Sequence, residues 1–130
     1  MNALGFLGRA EVDQLHAQSL ALYGGLNGVR DAHTLDSAIA RAQTFACYQE
    51  NVDAFDVAAV YAYSISQGQC YLDGNKRTAV LAALTFLETN GFDTDPIPDM
   101  EIYNTLIAIA ERRAMQSDMA ALLRKYCTLG

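Results

Sequence analysis

The sequence predicts an all-α fold: a compact single-domain bundle of about six helices around a central buried helix. Three observations predict it. Apolar residues recur at helical spacing in one segment after another, and no alternating strand pattern of useful length occurs, short pieces around Cys47 and Phe92 excepted. Glycines, prolines and Asx residues punctuate the chain about once per helix. The run from Ala79 to Leu87, AVLAALTFL, is apolar on nearly every face, so it must be enclosed on nearly every face.

Residues 1–8 carry Gly5 and Gly8 without a clear period and read as a loose lead-in. Over 9–23, Val12, Leu15, Leu20 and Leu22, with Ala17 and Ala21, make an amphipathic helix. Gly24-Gly25 ends it, because glycine suits the left-handed C-terminal cap. Leu26-Asn27-Gly28 continues as a turn. Arg30 and Asp31 read as a structural pair or cap before a second helix over 34–44, with Ala32 or His33 just ahead of it. Leu35, Ala38, Ile39 and Ala42 share its inner face.

Residues 45–51 read as a connection, in which Tyr48 and Gln49 are candidates for a lid by position. Asp53 caps a third helix over 54–67, with Val57, Val60, Tyr61, Ser64 and Ile65 inward, and Gly68 breaks it. A short loop over 69–74 leads into the central helix, 75–90, which Asn90-Gly91 ends. Both prolines lie in 94–99, a turn or extended link. Asp99 caps a fifth helix over 100–112, with Ile102, Leu106, Ile109 and Ala110 inward. Ser117 or Asp118 starts a last helix to about Tyr126, with Met119, Leu122 and Leu123 inward.

With 130 residues, 52% of them hydrophobic, the chain can bury a core without staples, and 1–130 reads as one domain. The net charge of −6 argues against direct DNA or RNA binding, which normally needs a basic surface. It leaves room for a local basic pocket that takes an anion. Cys47, Cys70 and Cys127 form no CxxC pair, so neither a disulfide framework nor a structural zinc site is expected. No signal peptide and no apolar run of about 20 residues is visible, so a cytoplasmic protein with no membrane partner is expected.

The chemistry concentrates in Gln69-Cys70-Tyr71-Leu72-Asp73-Gly74-Asn75-Lys76-Arg77-Thr78. Lys76 and Arg77 fall in the first turn of the central helix, where a cation is unfavourable by roughly 0.3–1 kcal/mol. Free N–H groups, a preceding Asp-Gly and two basic side chains make a good phosphate site. The competing reading is a surface turn whose charges point into water. Asp73 is a candidate for Mg²⁺, since hard cations prefer carboxylate and phosphate oxygens. Gly74 lets the backbone approach a phosphate. Asn75 caps the helix or touches phosphate. Lys76 offers a point charge and Arg77 a bidentate fork. The spacing is not that of a Walker A loop.

These residues resemble the core motif of Fic-domain proteins, and more closely its Doc (death-on-curing) branch, with a pattern like H-x-F-x-D-[AG]-N-K-R-T-A. The match from Asp73 to Ala79 is unbroken, and Tyr71 stands where the pattern usually has Phe. Upstream, Gly28-Val29-Arg30-Asp31 with Leu35, Ser37, Ala38, Ala40 and Arg41 resembles the branch's G-x-R-D…L-x-S-A-x-A-R segment, as do Phe86-Leu87 and Asn90-Gly91 downstream. The likeness runs from about Leu15 to Tyr126. It implies that Asp73 holds the metal, that Gly74 and Asn75 line the phosphate loop, and that Arg77 binds phosphate. Lys76 replaces a second Gly of most Fic enzymes, which implies a narrowed anion site. The implied activity is that of a toxin–antitoxin toxin: a kinase that transfers the γ-phosphate of ATP, with Mg²⁺, to a hydroxyl of elongation factor Tu and arrests translation. The implied partner is an antitoxin that covers the site.

One position departs. The pattern's first residue, the His that acts as general base, is Gln69 here. A glutamine amide takes no proton near neutrality, and loss of a general base costs about 10²–10⁴-fold. Phosphoryl transfer rests mainly on positioning and charge neutralisation, so residual activity is compatible with this loss. Gln69 is then a natural change that leaves a nucleotide- or antitoxin-binding relic, a substitution that spares the host, or a sign that another base acts. A catalytically inactive binding module is therefore the alternative to an impaired kinase. Adenylyl transfer is a weaker one, which Lys76 argues against.

The remaining polar residues have blander readings. His16 and His33 read as surface or half-buried helix residues, and nothing in the sequence places either beside Asp73. Tyr61, Tyr63 and Tyr71 read as core residues with tethered hydroxyls. Asp93, Asp95 and Asp99 lack the glycine and glutamate of a calcium loop. Cys70 lacks a partner His and is not read as a nucleophile.

Overall fold

Six helices and one two-stranded ribbon order the chain in the computed structural model, which describes residues 4–129. The helices are α1 (Arg9–Tyr23), α2 (Ala32–Tyr48), α3 (Ala54–Gly68), α4 (Asn75–Thr89), α5 (Asp99–Ala110) and α6 (Gln116–Tyr126). The ribbon pairs β1 (Phe92–Asp93) with β2 (Thr128–Leu129), antiparallel, so the short extended piece expected near Phe92 exists. The piece considered around Cys47 is helical instead.

N-cap side chains fix the starts of α2 and α3. The Asp31 carboxylate accepts from Thr34 N at 3.0 Å and from Thr34 Oγ1 at 2.8 Å, so Asp31 caps α2. It forms no ion pair with Arg30 among the described residues. Asp53 and Asp56 exchange backbone-to-side-chain bonds of 2.9 and 3.0 Å at the start of α3, each satisfying an N–H the helix leaves open. Two starts differ from expectation. Pro98 precedes α5, and Asp99 sits in its first turn, where its charge suits the positive end of the helix without a capping bond. α6 begins at Gln116 because Asp118 reaches back 2.7 Å to Met115 N.

α2 also runs further than expected, to Tyr48. Half-buried Phe45 and Ala46 pack on the core and carry the helix on. The region taken as a connection is thus mostly helix, and Tyr48 and Gln49 mark its end instead of forming a lid.

α3 is the most enclosed element, packed against α2, α4, α5 and α6. It buries the five expected residues, Val57, Val60, Tyr61, Ser64 and Ile65, together with Ala54, Ala58, Ala59, Ala62 and Ser66. α4 is buried along Thr78–Val80, Ala82, Ala83, Phe86 and Leu87, so the centre of the fold is the α3–α4 pair. The alanines on both helices let the two backbones approach closely. Phe86 is fully buried, 5.3 Å from the Tyr61 ring and 5.9 Å from the Phe6 ring. Ala110, expected inside, is exposed.

The lead-in is pinned where it is described. Leu7 is buried, and its N–H donates to the Tyr61 hydroxyl at 2.9 Å. Gly5 exchanges two bonds with the Asn90 amide, 2.8 and 2.9 Å. Residues 1–3 lie outside the described part.

α1 buries a different face from the one its leucines mark. Val12, His16 and Ser19 are inside, and Leu22 is 69% exposed. The face turned inward meets the polar loop before α4, so polar side chains serve it better than leucines do.

Arg124 of α6 is tied to the start of α3 by bonds of 2.9 and 3.0 Å to Asp53 and 3.1 Å to Asp56. Burial alone would raise the Asp53 carboxyl, but Arg124 and the Asp56 N–H outweigh it and hold the group below its usual range. A depressed carboxyl stabilises the fold above its unfolded pKa of about 3.9, and that contribution disappears as pH falls through the lower folded value. Both partners are nearly half exposed, so Arg124→Ala should cost only about 0.5–1 kcal/mol at pH 7. Urea titrations of both forms should show the difference shrinking below about pH 4. A difference unchanged at pH 3 would contradict this ion pair.

Candidate active site

The loop over 69–74 and the first turn of α4 form one wall of an open cleft of about 340 Å³. Gln69, Asp73, Gly74, Asn75, Lys76 and Arg77 all line it, so the structure gathers every residue of the sequence motif assigned a role. Arg30, Ser66 and Leu72 complete the lining. Among the residues lining it, Asp73 is the only carboxylate and none is a histidine.

α4 starts as an open anion-binding end. Its first internal bond is Thr78 N to Gly74 O at 2.9 Å, which leaves the N–H groups of residues 75–77 without a helical partner. No acidic residue lies in this first turn. The N-cap is Gly74, at φ +78°, and not Asn75. A Cβ on Gly74 would meet His16 and Ser19 only at 3.6 Å, so glycine is needed here for its backbone conformation and not for space.

Asn75 does other work. Its Oδ1 accepts from Tyr71 N at 3.0 Å and its Nδ2 donates to Tyr71 O at 2.9 Å, closing the loop into a rigid turn. Tyr71 is buried, and its hydroxyl donates to Asp13 at 2.6 Å. Burial first, then the Asp13 carboxylate, pushes that hydroxyl strongly up, so it remains a donor. Tyr61 and Tyr71 are thus the tethered core tyrosines expected. Cys70 is buried as well, and burial pushes its thiol up, away from nucleophile chemistry.

Asp73 is held from two sides. Its Oδ1 accepts from Gly74 N at 3.0 Å and its Oδ2 from Leu26 N at 3.2 Å. A carboxylate has about four acceptor sites, so capacity for a cation is left. One carboxylate beside a phosphate-binding helix end suits Mg²⁺, which keeps several waters and takes few protein ligands. The donor set therefore fits the metal that the motif implies.

Gly25 shapes this carboxylate. It lies at φ +122°, and a Cβ there would stand 2.8 Å from Asp73 Oδ2. Gly25→Ala should cost about 1–3 kcal/mol through backbone strain and push the carboxylate aside. A lowered urea midpoint with retained helicity is the expected readout, and an unchanged midpoint would show that the turn and Asp73 tolerate the shift.

His16 is where sequence and structure disagree most. It is only 4% exposed, its ring stacks on Tyr71 at 3.7 Å between centroids, and its Nε2 lies 2.8 Å from the Asp73 carbonyl oxygen. A carbonyl only accepts, so Nε2 carries the proton. The expectation that His16 is a surface or half-buried residue unrelated to Asp73 is therefore corrected: it buttresses the Asp73 loop from behind. It does not line the cleft, and His33 is exposed on the first turn of α2.

Arg77 faces the cleft but is partly engaged. Its Nε donates to Ser19 Oγ at 3.0 Å, a terminal nitrogen donates to Gly24 O at 3.2 Å, and its guanidinium lies 5.1 Å from the Tyr23 ring centroid. It fastens the C-terminal end of α1 to the start of α4. Lys76 is exposed and makes no side-chain bond among the described residues. Gln69 is exposed at the C-terminal end of α3, in the left-handed conformation (φ 49°, ψ 44°). A non-glycine residue held there costs of order 1 kcal/mol, and such strain gathers at functional sites.

Arg30 is the residue that sequence reasoning missed. From sequence, Arg30 and Asp31 read as a structural pair or cap; Asp31 does cap α2, but Arg30 lines the cleft. Asp31-x-x-Thr34, an N-terminal cap spacing, was the available signal that Asp31 was already committed.

The model of the Fic/DOC family matches residues 6–87. "Protein kinase doc" of Escherichia phage P1 is 37% identical over 95 residues, covering 71% of this chain and 75% of that protein. "Toxin Doc" of Mycolicibacterium smegmatis is 42% identical over 98 residues, covering 68% of this chain and 72% of that protein.

Proposed function

We propose, from the premise that this chain belongs to the Fic/DOC family, that it is the toxin component of a toxin–antitoxin pair built on a phosphotransferase scaffold. The observation that carries this reading is the cleft, in which one carboxylate, Asp73, adjoins the cationic, open start of α4. The relatives named as a kinase and as a toxin support it.

In this reading Asp73 holds Mg²⁺, which neutralises phosphate charge when bound. The N–H groups of residues 75–77, with Lys76 and Arg77, hold the phosphates of ATP. Gly74 supplies the turn, and Asn75 keeps it rigid through Tyr71. Gln69 occupies the place of the proton acceptor for a protein hydroxyl, and orients that hydroxyl without taking its proton. Activity is therefore impaired. The protein substrate is of the elongation factor Tu type, the outcome is translation arrest in the cytoplasm, and a cognate antitoxin masks the cleft.

The second reading is a nucleotide- or antitoxin-binding module without turnover, which the absence of a histidine from the cleft lining favours. Incubating the protein with elongation factor Tu and ATP, labelled on either the γ- or the α-phosphate, separates these readings. Slow γ-label transfer supports the impaired kinase. Mg²⁺-dependent ATP binding without transfer supports the module. Transfer of α-label points to adenylylation, and absence of both binding and transfer overturns the nucleotide reading.

A further inference from the structure

Arg30 reaches the cleft from outside the motif loop, and the backbone explains how. Residues 28–31 lie antiparallel to 70–72: Val29 bridges Tyr71, Leu72 N donates to Gly28 O at 3.0 Å, and Arg30 N donates to Cys70 O at 2.6 Å. A second donor, Asp31 N, reaches the same carbonyl at 3.2 Å. This clamp fixes the Arg30 backbone beside Gln69, the residue before Cys70. Its side chain is exposed and lines the cleft.

The charge inventory then separates the cleft's two arginines. Ser19, Gly24 and the Tyr23 ring occupy Arg77. Arg30 has no hydrogen bond or ion pair from its guanidinium among the described residues. Its neighbour Asp31 is committed to Thr34, whose N–H and hydroxyl hold that carboxyl below its usual range. Elsewhere Arg9 is paired with Asp13 and Asp36, Arg113 with Glu111, and Arg124 with Asp53 and Asp56. Among the described residues of the cleft, the uncommitted cations are Arg30 and Lys76.

We propose that Arg30 is the guanidinium that grips the terminal phosphate of the bound nucleoside triphosphate, while Arg77 chiefly anchors the loop. This rests on the nucleotide reading above. The planar fork of Arg30 spans two non-bridging oxygens, which the point charge of Lys76 does not. In the transfer step the acceptor hydroxyl oxygen bonds to the terminal phosphorus. The bond from that phosphorus to its bridging oxygen breaks, and its electron pair leaves on the diphosphate. The hydroxyl proton passes to solvent, or to a base where residue 69 supplies one. Arg30 makes and breaks no covalent bond; it neutralises charge on the group in flight. Its position beside Gln69, at the hydroxyl end, suits that task better than the position of Arg77, against α1.

The test has a binding arm and a rate arm. Calorimetry on the chain as it stands uses inorganic tripolyphosphate and Mg-ATP as probes, with R30A, R30K and R77A compared. R30A should weaken both probes about 10-fold or more, with R30K recovering only part, because lysine lacks the fork. Its thermal midpoint should stay put, since the 28–31 clamp is made by backbone. R77A should lower the thermal midpoint as well as affinity. In the Gln69→His background, R30A should lower kcat about 10²-fold or more with a smaller change in KM. Unchanged probe affinity in R30A overturns the proposal alone. Failure of the unsubstituted chain to bind either probe overturns it together with the nucleotide reading. Binding that depends on Arg30 without transfer by the histidine form upholds the grip and overturns the kinase reading.

Discussion

Gln69→His is expected to raise phosphate transfer by about 10²–10⁴-fold, the usual contribution of a positioned general base. The site is ready for the change. Residue 69 is exposed, lines the cleft and closes α3 in the left-handed conformation, a region where histidine is enriched several-fold among non-glycine residues. An imidazole there has no packing to displace, so the fold should be unaffected. The histidine form should also acquire a pH dependence that the glutamine form lacks. With an ordinary imidazole pKa of about 6.5, its rate should rise through about pH 6–7 as the ring becomes neutral and able to accept a proton. The measurement is transfer of γ-label to elongation factor Tu across about pH 5.5–7.5, one unit either side of that pKa, with growth arrest on expression as the cellular counterpart. A histidine form that binds Mg-ATP as well as its parent yet transfers no faster would sink the impaired-kinase reading and leave the binding module.

His16→Ala is expected to have the largest effect on stability, about 2–4 kcal/mol. It removes a ring that is buried and stacked on Tyr71, and it leaves the Asp73 carbonyl without its 2.8 Å donor. Against a typical total of about 5–15 kcal/mol this is a large fraction. The consequence should reach the cleft, since Asp73 and the Gly74 cap lie against the Nε2 edge of the ring. His16→Gln is the informative control: its amide N–H can replace Nε2–H, so it should lose the stack and keep much of the loop geometry. Urea unfolding measures the first effect through the midpoint at constant slope. Mg²⁺ titration of ATP binding measures the second. An alanine form as stable as its parent would show that the His16–Asp73 bond contributes nothing.

Taken residue by residue, most of the fold was legible in the sequence because helix formation is local. The stripes Leu35–Ala38–Ile39–Ala42 and Val57–Val60–Tyr61–Ser64–Ile65 are buried as their spacing indicates, and Asp53 caps where an Asx residue before an apolar run should. That the motif residues lie together was legible too, although Arg30, which also lines the cleft, was not. Asp73 to Arg77 form a contiguous loop-to-helix start, so their gathering needed no tertiary information. Helix ends were less legible: α2 continues to Tyr48 because Phe45 and Ala46 find core to pack on, which propensity does not know.

The contacts each cleft residue makes were decided by tertiary structure alone. Asn75 looked like a cap or phosphate ligand and is bound to Tyr71; Arg77 looked free and is fastened to α1. Arg30 and His16 looked structural and peripheral, and they stand in front of and behind the motif loop. The physical reason is one of range. Backbone conformation and amphipathic spacing are set by neighbours within a few positions, so the order of residues determines them. Which hydrogen-bond capacity is already used, and which is left over for a ligand, depends on partners 57 and 58 residues away, as with His16 and Asp73 or Ser19 and Arg77, and only the assembled fold brings those together.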